Sequence, residues 1–431
     1  MPMSKTIVIG GGAAGLMAAG FAAQQGAEVV LLEKNRDLGK KLAITGKGRC
    51  NITNACEIED LIKNMPGNGQ FLYGPFYTFT NRDVVDFFNR RGVPTKVERG
   101  QRVFPESDQA QDVIKALARF VTVNGGEISC GESVAEIMAE ELPEGEGKKG
   151  PFKKVTGVKT IDGREYRGDA VIIATGGLSY PGTGSTGDGY KWAEALGHKV
   201  TPLKPSLVPL ETREEWVKEL QGLALRNVKV AARAGQKVLG EEFGEMLFTH
   251  FGLSGPVILT LSDLVVAHME KVREPVTVVI NLKTALSREQ VDSRLQRDFA
   301  ANTRKQFKNS LGELLPKSLI PVMIKLSGIA EDKPVHQITR QERQGLVDLL
   351  TGLNLTITKP RSIKEAIVTA GGVVVKEVNP KTMESKLVQG LYFAGEVLDI
   401  HGYTGGFNLQ AAFSTGYVAG VNAAAAGAKD D

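Results

Sequence analysis

Apolar residues in this chain gather in short solid runs, the pattern of strands buried on both faces, separated by stretches of helix length. Thr6-Ile7-Val8-Ile9 is the first such run, Glu28 to Leu32 the second and Asp169 to Ile173 a third. Between the first two, Leu16 to Gln25 is a helix of small residues, so the order is strand, helix, strand, as in a parallel α/β sheet. Helical spacing recurs over Asn81–Arg91 and Gln109–Val123, with loop or strand at Gly100–Pro105 between them. From Thr201 the pattern turns β-rich: Val228 to Ala232 alternates and Val276 to Ile280 is a continuous strand. Ser254-Gly255-Pro256 starts a helix running to about Met269, with the proline in its first turn. Residues 284–352 are charged and helical, and Leu353 to Thr358 returns to strand. Glu140 to Lys154, rich in Gly, Pro, Lys and Glu, reads as an exposed hairpin tip.

Composition changes this picture at one residue type. The chain holds 50 glycines in 431 residues, well above the usual share of about 7%, and they cluster instead of repeating. Clustered glycine signals close backbone approach. The first cluster, Gly10-Gly11-Gly12-Ala13-Ala14-Gly15, directly follows the first strand and fits GxGxxG, and Glu33 ends the second strand eighteen residues beyond Gly15. That order is the dinucleotide fingerprint: Gly10 permits the turn, Gly12 lets a pyrophosphate approach and Gly15 lets helix and strand pack. The helix N-terminus offers free N–H groups to phosphate, and Glu33 would accept hydrogen bonds from ribose hydroxyls, which favours FAD or NAD over NADP. The next loop, Leu38 to Asn54, holds four cations and three glycines and suits an anionic ligand. Its Cys50 has no evident histidine partner and reads as a packed or flavin-facing thiol.

A second GxGxxG, Gly182 to Gly187, follows Pro181 and a loop, not a strand, so it reads as a loop entering a helix near Asp188 and not as a nicotinamide fingerprint. Near the C-terminus, Gly390 to Glu396 is strand then turn, and Gly405-Gly406-Phe407-Asn408 opens a long uncharged helix. A helix N-terminus behind paired glycines suits the partial negative charge of a reduced flavin at its N1–C2=O edge, which a nicotinamide does not need.

On these segments the chain resembles the two-dinucleotide-binding-domain flavoproteins, and more closely the BaiN/YhiN-like family of FAD-dependent oxidoreductases, which includes bile-acid-type enone reductases and aminoacetone oxidase-like members. Gly10–Gly15 with Glu33, Thr45–Asn51, Ala174–Gly189, Phe248–Pro256 and Gly395–Gln410 carry the match, nearly the whole chain. The resemblance implies that FAD lies against Gly10, Gly12, Ala13, Ala14, Gly15, Glu33, Lys34, Gly48, Arg49, Asn51, Val134, Gly176, Gly177, Gly395, Glu396, Asn408 and Leu409. The expected fold is α/β: a Rossmann-like FAD-binding domain of the glutathione-reductase/fumarate-reductase type with an inserted β-rich, barrel-like domain. The FAD-binding domain would comprise residues 1–200 and 362–431, the β-rich insertion 201–283 with its return strand 353–361, and a helical insertion 284–352.

The expected function is flavin hydride chemistry, with NADH or NADPH as transient donor to a small-molecule C=C or C=O. His401 and Tyr403, in the turn before the flavin-facing helix, are the acid/base candidates, and Tyr180 and His250 are further ones. Alternatives are an O2-using oxidase of a small amine, a tRNA-modifying flavoprotein and a non-catalytic FAD-binding protein. The three cysteines form no CxxC, which sets the chain apart from disulfide oxidoreductases, and no metal site is expected. A net charge of +4 over this length argues against a nucleic-acid partner. Gly10 to Gly12 interrupt the uncharged N-terminal stretch, and Phe407 to Ala428 is too weakly apolar to span a membrane, so no membrane partner and a cytoplasmic location are expected. Oligomeric state stays open.

Overall fold

The computed structural model describes residues 4–142, 152–272 and 274–426. The chain divides into two units, one drawn from Met1–Lys204 and Ile367–Asp431, the other from Pro205–Ala366. The seams fall a few residues from the positions at which the sequence changes pattern.

The first unit is built on five parallel strands: β1 (Lys5–Ile9), β2 (Glu28–Glu33), β3 (Glu127–Cys130), β4 (Ala170–Ile173) and β5 (Leu391–Phe393). Their order is β5-β4-β1-β2-β3, with Ile7 in register with Val30 on one side and Val171 on the other. The order reverses beside β1, and such a switch point leaves a crevice beyond the carboxyl ends of the strands. Val8, Leu31, Val171, Ile172 and Ile173 are wholly buried, which is why these strands are solid apolar runs instead of alternating ones.

Helix α1 (Ala13–Gln24) follows β1, and helix α2 (Phe407–Ala424) packs along it. Both start slightly earlier than the sequence pattern suggests. Small residues permit the contact: a Cβ on Gly416 would lie 2.5 Å from the Ala14 carbonyl oxygen, and one on Gly420 2.2 Å from that of Ala18. The uncharged C-terminal stretch is therefore a core helix, and no described helix is long and apolar enough to cross a membrane. Helices Asn81–Asn89 and Ala110–Val123 lie where periodicity places them, the first held by a capping box from Thr80 and Asp83. The segment Gly100–Pro105 contributes the strand Arg102–Pro105, which pairs with Thr95–Glu98 and with Thr53–Asn54. Strands Val134–Glu141 and Lys153–Thr160 pair as a hairpin, whose expected tip falls on residues 143–151, outside the described residues.

The second unit contains a closed barrel, in the order Leu210–Thr212, Gly252–Ser254, Lys237–Phe248, Ala224–Ala234, Val276–Asn281 and Leu353–Pro360. Helices Arg288–Ala301, Ile320–Ser327 and Arg340–Thr351 occupy the predicted helical insertion; Ser287 with Gln290 and Thr339 with Glu342 cap the first and last. The strand Lys237–Phe248 is absent from the sequence reading. Three glutamates and two glycines break up its apolar residues, only Met246 and Phe248 are buried, and its pairing along Ala224–Ala234 fixes it.

Candidate functional site

A cavity of about 360 Å³ lies beyond the carboxyl ends of β1, β2, β4 and β5, at the switch point. Its floor is the glycine turn after β1. Gly10 has φ +109°, and a Cβ there would sit 2.6 Å from the Ala174 carbonyl oxygen; one on Gly15 would sit 1.9 Å from that of Gly10. Gly12 differs: nothing lies within 4 Å of its missing Cβ, and it lines the cavity. Two glycines thus close the turn and the third opens a cradle. Leu16 is the first residue of α1 whose N–H bonds back into the helix, to Gly12 at 3.0 Å, so first-turn N–H groups remain for a ligand at Ala13 and Ala14.

Glu33 is buried at the end of β2, with both carboxylate oxygens fixed. One accepts from the Gly11 N–H at 2.7 Å, the other from the Asn35 N–H at 2.8 Å and its side-chain amide at 2.6 Å. The oxygen that accepts from Gly11 alone keeps a lone pair for a ribose hydroxyl. Lys34 lines the same end, but its ammonium is held by Asp188 at 2.7 Å and by Thr186, so it braces the wall. Burial alone would raise the Asp188 carboxyl; hydrogen bonds from Lys34 and Thr186 outweigh it and hold Asp188 below the usual range. Val134, Ser133, Ile161 and Trp192 complete an apolar slot, with Trp192 Nε1 tied to the Ala135 carbonyl at 2.9 Å.

At the other end Gly176, Gly395 and Glu396 line the wall. The Glu396 carboxylate accepts from Lys41 Nζ at 2.7 Å, from Ser179 Oγ at 3.2 Å and from the Thr369 N–H at 2.8 Å. Lys41 also donates to Ser179 at 2.7 Å, leaving one of its three protons for a ligand. The N-terminus of α2 closes this end through Asn408 and Leu409. The Asn408 side chain binds Gly402 N–H and C=O at 2.8 and 2.7 Å, so Asn408 presents backbone, not its amide, to the cavity. Buried Thr175 Oγ1, on a lining residue, has no partner among the described residues. An orphaned buried polar atom of this kind fits a missing polar ligand.

Of the residues that the family resemblance implies, Gly10, Gly12, Ala13, Ala14, Glu33, Lys34, Val134, Gly176, Gly395, Glu396, Asn408 and Leu409 come together on this cavity. Gly15 lies beneath the floor and Gly177 turns toward Thr369. Gly48, Arg49 and Asn51 do not line the cavity, though Thr45 of the same loop does. The Arg49 guanidinium is engaged by Glu98 and by Asp108 at 2.7 Å and stacks 4.2 Å above the Phe104 ring. Cys50 is fully buried, and burial pushes its thiol up to about 12, so it is a packed thiol and no nucleophile.

His401 and Tyr403 are not brought to the cavity, although neighbouring Ile400 is. Backbone ties to residues 64–68 explain this: Gly67 N–H reaches the His401 carbonyl at 3.3 Å, Tyr403 N–H the Asn64 carbonyl at 2.9 Å, and Asn68 the Asp399 carbonyl at 2.7 Å. The His401 ring packs against Gly67, where a Cβ would lie 2.2 Å from Nδ1. Tyr180 is partly exposed at φ +51°, and His250 belongs to the barrel unit. The Gly182–Gly187 segment enters the helix Asp188–Ala195 as expected, and contributes Thr183, Gly184 and Ser185 to the wall. Lys41, Ser179, Thr369 and Thr175 are the residues that sequence reasoning passed over; Lys41 had a signal in the basic loop, the others none. Among the described residues no group of three or more His, Cys, Asp or Glu could hold a metal ion.

The family model for the HI0933-like protein Rossmann domain matches residues 4–422. The chain belongs to this family. It is 33% identical over 424 residues to a Clostridium scindens protein named 3-dehydro-bile acid delta(4,6)-reductase, covering 98% of this chain and 99% of that one. It is also 32% identical to a Haemophilus influenzae protein named ribosomal RNA dihydrouridine synthase, over 97% of this chain and 98% of that one. An Escherichia coli protein of the same name is 31% identical, with 97% of each chain covered. Among solved structures, a 3-ketosteroid delta1-dehydrogenase from Sterolibacterium denitrificans superposes with TM-score 0.52 at 13% identity, over 98% of this chain and 100% of that one. A flavocytochrome c3 fumarate reductase gives TM-score 0.51 at 16% identity, over 98% and 78%. Both share the fold, as the family resemblance implied.

Proposed function

We propose that the protein is an FAD-dependent oxidoreductase that reduces a carbon–carbon double bond conjugated to a carbonyl. The observation that carries this reading is a single cavity bounded by two helix N-termini, α1 at the glycine cradle and α2 at Asn408–Leu409. The first suits a pyrophosphate, and the second suits the electron-rich edge of a reduced flavin, which a nicotinamide would not require. Gly12, Ala13 and Ala14 would hold the pyrophosphate, Glu33 the adenosine ribose, and the slot at Val134 and Trp192 the adenine.

The relatives' names support the same chemistry. A delta(4,6)-3-ketone and a uracil base each hold a C=C conjugated to C=O, and dihydrouridine is uracil saturated at that bond. Bound FAD, once reduced by NADH or NADPH, would supply the hydride to the β-carbon, and a proton must reach the α-carbon. Lys41, anchored by Glu396 and Ser179, has one N–H left to polarise a carbonyl oxygen at this end of the cavity. His401, pinned behind Gly67, has no place in this reading; the proton comes from another group or from water.

The test is an anaerobic titration with NADH and then NADPH, following the flavin bands. Bleaching by either, and recovery on adding a 4-en-3-one but not the saturated ketone, is the expected result. Bleaching by amines and not by nicotinamides would replace this reading with the amine oxidase.

A second acceptor, a uracil in ribosomal RNA, is favoured by the two relatives of that name at 32% and 31% identity. The net charge of +4 offered as an argument against nucleic acid averages over the whole chain and hides how cations are distributed. Recovery of the flavin bands by an rRNA transcript, and not by free uridine, would select it.

A further inference from the structure

We infer that the turn Arg99-Gly100-Gln101-Arg102 is a phosphate-binding rim for a structured RNA at the flavin end of the cavity. The inference rests on the second acceptor reading above. This turn joins the strands Thr95–Glu98 and Arg102–Pro105 and is held in place by several independent bonds. Buried Asn54 donates through one amide nitrogen both to the Gly100 carbonyl at 3.0 Å and to the Gly405 carbonyl at 2.9 Å. The Ala55 N–H binds the Gln101 carbonyl at 2.7 Å, and Arg102 Nε binds the Arg99 carbonyl at 3.0 Å. Gln101 is fixed at φ +59°, a left-handed conformation that a residue with a side chain adopts only when its surroundings impose it. Gly405 and Gly406 lead directly into α2, whose Asn408 and Leu409 line the cavity. Asn54 therefore bolts a basic turn onto the segment that delivers the flavin-facing helix.

The charges on this turn are free to act outward. Neither Arg99 nor Arg102 has a carboxylate within 4 Å among the described residues, while nearby Arg49 is fully engaged by Glu98 and Asp108. Arg102 leans toward the Phe104 ring, 5.8 Å from its centroid. Exposed Lys47, at φ +60°, follows Gly46, whose Cβ position is 3.3 Å from the same ring, so the backbone of a third cation runs by the ring that Arg102 leans toward. One carboxylate on a small substrate is satisfied by a single bidentate arginine. Several unpaired cations on a preorganised frame instead match successive phosphates, whose contacts position a nucleic acid while the cavity takes the base.

The test measures filter binding of a labelled rRNA transcript to oxidised holoenzyme without electron donor, from 50 to 200 mM KCl. R99A/R102A should bind about ten-fold or more weakly at 100 mM, with a salt slope reduced by about 2. R99K/R102K should keep most of the slope. K115A/R119A, which removes two exposed cations from the helix Ala110–Val123, should bind as wild type. Flavin content and thermal midpoint equal to wild type establish that the turn variants fold. Equal affinity and slope in R99A/R102A, or no retention of the transcript by wild type at 50 mM KCl, would overturn the proposal. So would a raised KM for a carboxylate-bearing steroid enone in R99A/R102A without RNA binding. Because no donor is present, binding is scored independently of turnover: a protein that binds RNA through this turn and never reduces it would refute the rRNA-acceptor reading and leave the rim standing.

Discussion

At the residue scale, the glycine cradle separates packing from ligand approach. Gly12 has φ −88° and ψ −169°, an extended conformation open to any residue, and its Cβ position touches no protein atom. Gly12→Val should therefore fold with a thermal midpoint near wild type and lose FAD on gel filtration, read as the ratio of flavin to protein absorbance. Gly15→Ala should do the opposite damage, losing about 3 kcal/mol or more in denaturant unfolding, because its Cβ would meet the Gly10 carbonyl oxygen at 1.9 Å. The thiols make a second case. Cys50 is fully buried with its thiol pushed up to about 12, whereas Cys130 is exposed. Alkylation at pH 8 should leave Cys50 unmodified until denaturant is added, read by mass spectrometry. Gly12, Gly15 and Glu33 were legible in the sequence because a turn between adjacent strands is a local matter. The Lys41–Glu396–Ser179–Thr369 cluster was not, since its members lie far apart in the chain and meet only through the order of the strands.

At the element scale, small residues decide which helices can touch. The seam between α1 and α2 has no room at Gly420, so Gly420→Val should lower unfolding free energy by about 3 kcal/mol while leaving the described β-sheet signature in circular dichroism. Behind β5, His198 is buried between Glu377 at 3.1 Å and Ser385 at 2.8 Å, with the Phe393 ring 4.9 Å away. Burial pushes the imidazole below its usual value, and Glu377 only partly opposes this. The unfolded chain then binds the proton more readily. This contribution is whole above about pH 6.5 and is lost as pH falls below it toward the folded value. His198→Gln should flatten the stability profile between pH 7 and 5 in urea titrations; a profile as steep as wild type would contradict this. The same scale explains the strand that the sequence hid. Lys237–Phe248 lacks an apolar run because much of it is exposed, and its neighbour in the barrel supplies the hydrogen-bond register.

At the scale of the whole molecule, each unit has its own core and its own tryptophan: Trp192 lines the cavity, and Trp216 packs with Phe248 in the barrel unit. In a Trp216→Phe apoprotein, FAD should quench the remaining emission and raise the midpoint that it reports, since ligand at about 100 times Kd adds about 2.7 kcal/mol to the folded state. An unquenched Trp192 at saturating FAD would move the adenine out of the slot beside it. The sequence by itself determined the strand–turn–helix fingerprint, the acid ending β2, the change from α/β to β-rich and back, and the family. All of these are written in spacings of a few residues or in long stretches of pattern, which do not depend on what packs against them. Only the tertiary structure decided that α1 and α2 point their N-termini into one cavity, that His401 is tied behind Gly67 while Lys41 reaches Glu396, and that Arg99 and Arg102 sit unpaired beside Gly405. Those facts depend on distant segments sharing hydrogen-bond partners, Asn54 joining Gly100 to Gly405 among them, and a side chain's partners are chosen by the fold and not by its neighbours in the chain.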